Sequence, residues 1–262
     1  MPASEGVAGM FISSSCILGV IRGALRNALG AGMLLAMAVS ATTLALQPAA
    51  AADCQSSAYP KVDWSECNKG MLVLSGSDLS GANLTDTDFS STDLRDANLE
   101  GANLEKASMV RASLAGAKAD KANFSRLEAY RTSFAGISAQ GASFASAELQ
   151  RADFSQANLT GADFQKAELG RVNFGKATLT GTHFPMANLS RAELRGATFE
   201  GPIDFTDAFL FLTRIGGLDL SKATGLEQAQ IDLTCGDKAT KLPAGLKAPA
   251  TWPCKLDTDD AP

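Results

Sequence analysis

The hydrophobic pattern of this chain has a period of five residues. Between residues 74 and 199 a large apolar residue occupies most central positions of 26 consecutive five-residue repeats, beginning at Leu74, Leu79 and Leu84. A small residue, usually alanine, stands two positions before most of them, as at Ala82 and Ala97. Because neither the 3.6-residue period of a helix nor the two-residue period of a strand gives a strict five, this pattern predicts a wound array of stacked short repeats.

A second period of twenty residues is visible at the polar positions. Glycine recurs at this interval at Gly81, Gly101, Gly141, Gly161, Gly181 and Gly201, with Lys121 as the one exception. Arginine recurs at the same interval at Arg111, Arg131, Arg151, Arg171 and Arg191, which we call the arginine column. Four repeats therefore make one coil, and residues twenty apart are predicted to stack at the strand spacing of roughly 4.8 Å.

The motif alanine, then aspartate or asparagine, then leucine or phenylalanine resembles that of the pentapeptide-repeat family, as at Ala82-Asn83-Leu84. The resemblance implies an all-β fold, a right-handed quadrilateral β-helix of about seven coils, with the leucine or phenylalanine and the alanine facing inward. A short C-terminal capping helix is also predicted, because Thr224 and Glu227 have capping-box spacing before the apolar positions Leu226, Ala229 and Leu233.

The chain divides into four predicted segments. Residues 1–52 have the pattern of a signal peptide, with arginines before an apolar run at 28–46 and small residues at 50–52. Residues 53–71 are predicted as an N-terminal cap covered by Trp64 and Met71, residues 72–222 as the β-helix, and residues 223–262 as the C-terminal cap and tail. This organisation predicts a periplasmic or secreted protein. The alternative is an uncleaved inner-membrane anchor at 28–46.

Four cysteines follow the predicted leader: Cys54, Cys67, Cys235 and Cys254. An even number in an oxidising compartment predicts disulfides, with three connectivities to choose from. Local pairing is the prediction, because the two pairs lie at opposite ends of a rigid array. The same separation argues against a zinc site built from all four cysteines.

One extra residue interrupts the register at Gly201-Pro202, after which the apolar centres continue at Phe205, Leu210, Ile215 and Leu220. Phe209 and Phe211 flank Leu210 and are therefore predicted to point outward. Either the C-terminal segment covers them, or they form a contact surface for a partner or for a homodimer through the C-terminal end.

The sequence offers no catalytic or cofactor motif. There is one histidine, His183, and none of the common nucleophile, zinc-protease or phosphate-loop motifs is present. The numerous Asp and Asn residues are explained by the repeat. We therefore predict a protein that is not an enzyme and has no cofactor and no metal site.

Three functions remain for such a protein. The first is a non-catalytic periplasmic scaffold or protein-interaction module, and the second is binding of an anionic envelope polymer along the arginine column. The third is implied by the resemblance, since some pentapeptide proteins mimic duplex DNA and bind type II topoisomerases. A mimic needs a strongly acidic face, whereas residues 72–220 contain 18 acidic and 14 basic residues. A net charge of −5 equally gives no reason to expect a nucleic-acid partner.

The arginine column itself has two interpretations. Acidic residues lie near it, at Glu128, Glu148, Glu168, Asp153 and Glu193, so the column is expected to form a surface ion ladder. Alternatively it is a linear anion-binding edge, in which arginine supplies forked contacts to phosphate or carboxylate. Arg111 has no acidic neighbour at the corresponding position, Ser108, so binding is expected to begin at that end.

Overall fold

The chain winds into a four-sided β-helix. The structure is a computed structural model that describes residues 52–254. Parallel β-bridges join residues twenty apart, from Asp63 with Asn83 through Thr178 with Thr198, and successive bridges lie five residues apart. Each side of a coil contributes one bridged residue, so the described residues contain no longer strand, and their one helix is α1, Gln228–Ile231.

The core is a narrow column filled by the central residue of each repeat and the small residue two before it. Ala82 and Leu84 are 1% and 0% exposed, and the same pair is buried in nearly every following repeat. Phenylalanines on two opposite sides form two stacks: Phe124, Phe144, Phe164, Phe184 and Phe205 in one, and Phe134, Phe154 and Phe174 in the other. The period of five therefore has the predicted cause, because every fifth residue fills one layer of one side.

The polar side chain before a central residue accepts a hydrogen bond from the backbone two residues further along, as at Asp78. The Asp78 carboxylate accepts a hydrogen bond from the Ser80 backbone N–H at 3.0 Å and another from the Asn98 side chain, one coil away, at 3.1 Å. The backbone bond from Ser80 is the largest cause of the lowered pKa of Asp78. Aspartate and asparagine both accept this bond, which explains why the repeat alternates between them.

Each corner of the coil is a tight turn with a left-handed residue. At Arg151 the backbone φ is 61°, and the Ala152 N–H donates to the Leu149 carbonyl oxygen at 2.9 Å. This is the pattern of a type II turn, whose third residue needs a positive φ. The arginine column occupies one such corner in successive coils, so its Cα atoms are fixed by the backbone ladder.

The β-bridges begin at Asp63, inside the 53–71 segment that we predicted as the cap. Trp64 is buried in a central position, and its indole Nε1–H donates to Ser56 Oγ at 2.9 Å. Lys69 holds the next central position. Its ammonium lies 3.7 Å from the Trp64 ring centroid and donates to the Cys54 carbonyl oxygen at 2.8 Å, and burial lowers its pKa.

The prediction that Met71 covers this end is wrong. Met71 is a corner residue with φ 58°, and its side chain is 83% exposed. The segment 52–60 covers the end instead, through its contacts with Trp64 and Lys69. The first coil was not recognised in the sequence, because Lys69 occupies a central position where leucine or phenylalanine is usual.

The extra residue at Gly201-Pro202 shifts the ladder as predicted. Before it, bridges join residues twenty apart, whereas His183 pairs with Asp204 and Glu193 pairs with Arg214, at twenty-one. The core absorbs the insertion without opening, since Phe205, Leu210 and Ile215 are 3% exposed or less. The shift places Arg214 directly beyond Glu193 on one side of the solenoid.

The C-terminal helix differs from the prediction. α1 is a single turn whose capping box is formed by Glu227 and Gln230, and its buried residue is Ile231 rather than the predicted apolar face. The chain continues beyond it, with Cys235 bridged to Arg214 and Lys241 bridged to Asp219. Helix α1 therefore replaces one side of the last coil and does not lie over its end.

Two glycines in this region allow a sharp test of the packing. We expect Gly225→Ala to lower the free energy of unfolding by about 1–3 kcal/mol, because a Cβ there would clash with the Thr206 backbone nitrogen. Gly245→Ala is the matched control, since Gly245 also has a positive φ but nothing within 4 Å of the added atom. Equal losses in urea unfolding of the two variants would show that backbone strain, and not this contact, sets the cost.

Candidate functional site

Arginines from successive coils line a groove along one side of the β-helix. The groove has a volume of about 360 Å³, and we call it the arginine groove. It is lined by Arg131, Arg151, Arg171, Val172, Asn173, Arg191, Glu193 and Arg214. Four members of the arginine column thus form one continuous surface.

The two ends of the groove differ from the sequence prediction. Arg111, where binding was expected to begin, does not line it. Arg214 does line it, although it is not in the twenty-residue series. The position of Arg214 could have been predicted from the inserted residue. The insertion lengthens the coil from twenty to twenty-one residues, which places Arg214 one coil after Glu193.

The predicted ion ladder is absent from the groove. Among residues 52–254, no guanidinium of the arginine column or of Arg214 lies within 4.0 Å of a carboxylate oxygen. The predicted ion pairs between the arginine column and its neighbouring acids are therefore not formed in this structure.

Three of the five neighbouring acids have other partners. Glu193 pairs with Arg195 at 2.6 Å, a contact that raises the pKa of Arg195. Asp153 accepts from the Asn173 side chain and the Ser155 N–H, and Glu168 accepts from Asn188 at 2.8 Å. These contacts hold the three carboxylates on their own sides. The groove keeps a net positive charge, because five arginines and one acid, Glu193, line it.

The side of the β-helix that carries the arginine groove has further basic residues beyond that groove. A second groove, of about 500 Å³, is lined by Lys176 and Arg195 together with Asn173 and Glu193, which it shares with the first. Stacked guanidinium groups repel one another by roughly 1 kcal/mol or less per neighbouring pair in water. An anion laid along the groove would relieve that repulsion and could accept forked hydrogen bonds.

Two family models match the repeats without a gap. The pentapeptide repeat region model matches residues 107–184, and the pentapeptide repeats model matches residues 73–109 and 173–201. Residues 73–201 are pentapeptide repeats. Among curated proteins, none matches its sequence significantly.

Several solved pentapeptide-repeat structures are similar to this one. HetL from the cyanobacterium Nostoc sp. strain PCC 7120, involved in heterocyst differentiation regulation, is 27% identical, with 71% of this chain and 86% of HetL covered and a TM-score of 0.37. QnrB1, a plasmid-mediated fluoroquinolone resistance protein, is 19% identical, with 72% and 93% covered and a TM-score of 0.48. A protein of the Arabidopsis thaliana thylakoid lumen is 29% identical, with 53% and 68% covered and a TM-score of 0.26. These scores are too low to carry an inference about function.

The repeat places Phe209 and Phe211 outward, as predicted. Their side chains are 50% and 41% exposed, and their rings stack with centroids 6.2 Å apart. Leu233, 39% exposed, follows in the next coil, where its carbonyl oxygen accepts from the Leu212 N–H. The C-terminal segment up to Cys254 leaves this small apolar patch open to water.

The four cysteines pair locally at the two ends of the pentapeptide-repeat solenoid. Cys54 is bonded to Cys67 and Cys235 to Cys254, with Cα–Cα distances of 5.4 and 5.3 Å. Such bonds indicate an oxidising compartment. Within residues 52–254 no helix is long and apolar enough to cross a bilayer, and no group of three or more potential metal ligands occurs there. The predicted signal peptide or anchor lies almost entirely outside the described residues.

Proposed function

We propose that this pentapeptide-repeat protein is an exported, non-catalytic binding module, built on a right-handed β-helix, whose arginine groove holds a linear anionic partner. The observation that carries the proposal is the series of arginines that line one groove without a carboxylate partner. A surface designed only for solubility would have no need to align five guanidinium groups along one groove.

The geometry favours a polymer over a small anion. The groove is open and shallow, and its arginines repeat at the coil spacing of roughly 4.8 Å. A chain of carboxylates or phosphates could place one group against each coil, whereas a small anion would contact only one or two arginines. An anionic envelope polymer is therefore the partner class that we propose.

Export is supported by the leader pattern in residues 1–52 and by the two disulfides. We propose a periplasmic or secreted location, with removal of the leader near residue 52. The intact mass of the exported protein distinguishes this from retention of an anchor at 28–46, because the anchored form keeps the whole leader.

The test compares two sets of three corner residues. We expect Arg131→Gln, Arg151→Gln and Arg171→Gln together to raise the Kd for poly-L-glutamate at low salt about tenfold or more, since three charged contacts are lost. The free energy of unfolding should change little, because these side chains are exposed. Titration of labelled polymer, followed by fluorescence anisotropy, measures the Kd.

The matched control is Lys106→Gln, Arg126→Gln and Lys166→Gln. These residues occupy the neighbouring corner with the same left-handed backbone, are exposed, and change the net charge by the same amount. The control should leave the Kd nearly unchanged. If both triple variants weaken binding equally, the protein responds to net charge alone and the groove is not the binding surface.

A second candidate surface is the exposed pair Phe209 and Phe211, which would fit a protein partner or a second copy of this chain. Replacing both residues by serine should abolish any dimer detected by sedimentation equilibrium, without changing polymer binding. The DNA-mimic interpretation has no such support, because the groove formed by the arginines is basic.

A further inference from the structure

The described chain ends beside the arginine groove. A recess of about 120 Å³ is lined by Arg195, Arg214, Gly216, Cys235, Gly236, Asp237, Pro253 and Cys254. Arg214 also lines the arginine groove, so the two cavities meet at this side chain. Eight further residues of the sequence therefore start from one end of the groove.

Two contacts fix the position of that starting point. The disulfide joins Cys254 to Cys235, which is itself bridged to Arg214 in the β-ladder. The indole N–H of Trp252 donates to the Thr234 carbonyl oxygen at 2.8 Å. The point from which residues 255–262 start is thus fixed by the fold.

The following residues carry charge opposite to that of the groove. Residues 255–262 read Lys-Leu-Asp-Thr-Asp-Asp-Ala-Pro, with acids at Asp257, Asp259 and Asp260 and one base at Lys255. An extended chain spans up to about 3.3–3.6 Å per residue, so Asp257 reaches roughly 10 Å from Cys254 and Asp260 roughly 20 Å. The groove rises four coils from Arg214 to Arg131, which is about 19 Å at the strand spacing.

We propose that the acidic segment Asp257–Asp260 binds along the arginine groove of its own chain and competes there with the external anion. This inference rests on the proposed anion site and names its internal occupant as an acidic peptide. A tether of two residues, Lys255 and Leu256, keeps the segment at a high effective concentration, so weak exposed ion pairs suffice to hold it in place. The external polymer must displace it, which selects long polyanions that contact several arginines at once.

The first experiment measures competition with the exported full-length chain. Two variants are compared with it: one ends at Cys254, and the other carries Asp257→Asn, Asp259→Asn and Asp260→Asn. If the segment fills the groove for about 70–90% of the time, removing it lowers the apparent Kd for poly-L-glutamate about three- to tenfold. A Lys255→Gln variant, which keeps all three acids, should not bind more tightly than the triple asparagine variant.

The second experiment detects the segment without any polymer. In ¹⁵N spectra, the Nε–Hε signals of Arg151 and Arg171 should differ between the full chain and the triple asparagine variant, whereas that of Arg126 should not. Identical arginine signals overturn the proposal, whatever the polymer does. Shifted signals without polymer binding by any form support the internal contact and reject the proposed function instead. Signals that change with protein concentration mean that a second copy supplies the segment, which overturns binding within one chain.

Discussion

Phe154→Ala is expected to lower the free energy of unfolding by about 3–5 kcal/mol, the usual range for removing a buried phenylalanine. Phe154 is fully buried in the middle of the solenoid. It stacks on Phe134 at 4.5 Å and on Phe174 at 5.5 Å, and it meets Phe144 and Phe164 edge to face at 5.5 and 5.8 Å. Truncation removes all four ring contacts and leaves a cavity that the rigid ladder cannot close. Urea unfolding followed by circular dichroism measures the loss.

Two controls separate ring contacts from volume and from position. Phe154→Leu keeps most of the volume and should cost less than about 1.5 kcal/mol. Phe199→Ala makes the same truncation at a site that is only partly buried, and Phe199 belongs to none of the aromatic pairs among residues 52–254. A loss at Phe199 as large as that at Phe154 would contradict the view that the two phenylalanine stacks hold the coils together.

The period of five was sufficient to predict the coil, because it has a single physical cause. Every inward position lies at the same place in a repeat, so one misplaced residue would expose an entire layer. The register could therefore be followed through the insertion at Gly201-Pro202, where the bridges change from twenty to twenty-one. The local rule failed at both ends, where Lys69 and α1 depart from the repeat.

Lys69 illustrates why the N-terminal end could not be predicted. A lysine at a central position normally argues against burial. It is tolerated here because the Cys54 carbonyl oxygen accepts from its ammonium and the Trp64 ring lies beneath it. Both contacts depend on how the segment 52–60 folds back, and the five-residue period does not predict the course of that segment.

The arginine column was predictable in position but not in pairing. Stacking of residues twenty apart follows from the repeat, and the column lies where the sequence placed it. Whether Glu193 turns to a column arginine or to Arg195 depends on side-chain competition. Glu193 pairs with Arg195, which lies two residues later on the same side. The guanidinium of Arg195 donates two hydrogen bonds to the Glu193 carboxylate, at 2.8 and 2.6 Å.

The largest remaining effect is expected from the two disulfides, which close loops at opposite ends of the solenoid. Their sequence separations are 13 and 19 residues, for which loop closure predicts a contribution of about 3 kcal/mol each. We expect Cys54→Ala with Cys67→Ala to cost more than Cys235→Ala with Cys254→Ala. The first pair holds the segment that covers Trp64 and Lys69, so its removal also exposes apolar surface to water.

The two pairs should act independently, because no described contact links the ends. The loss in a variant lacking all four cysteines should therefore equal the sum of the two separate losses within about 0.5 kcal/mol. Urea unfolding of each variant gives these values, and the parent protein in reductant should match the four-alanine variant. A coupling well above that margin would mean that the solenoid transmits disorder from one end to the other. Additive losses would instead fit a solenoid whose coils are stabilised mainly by their immediate neighbours.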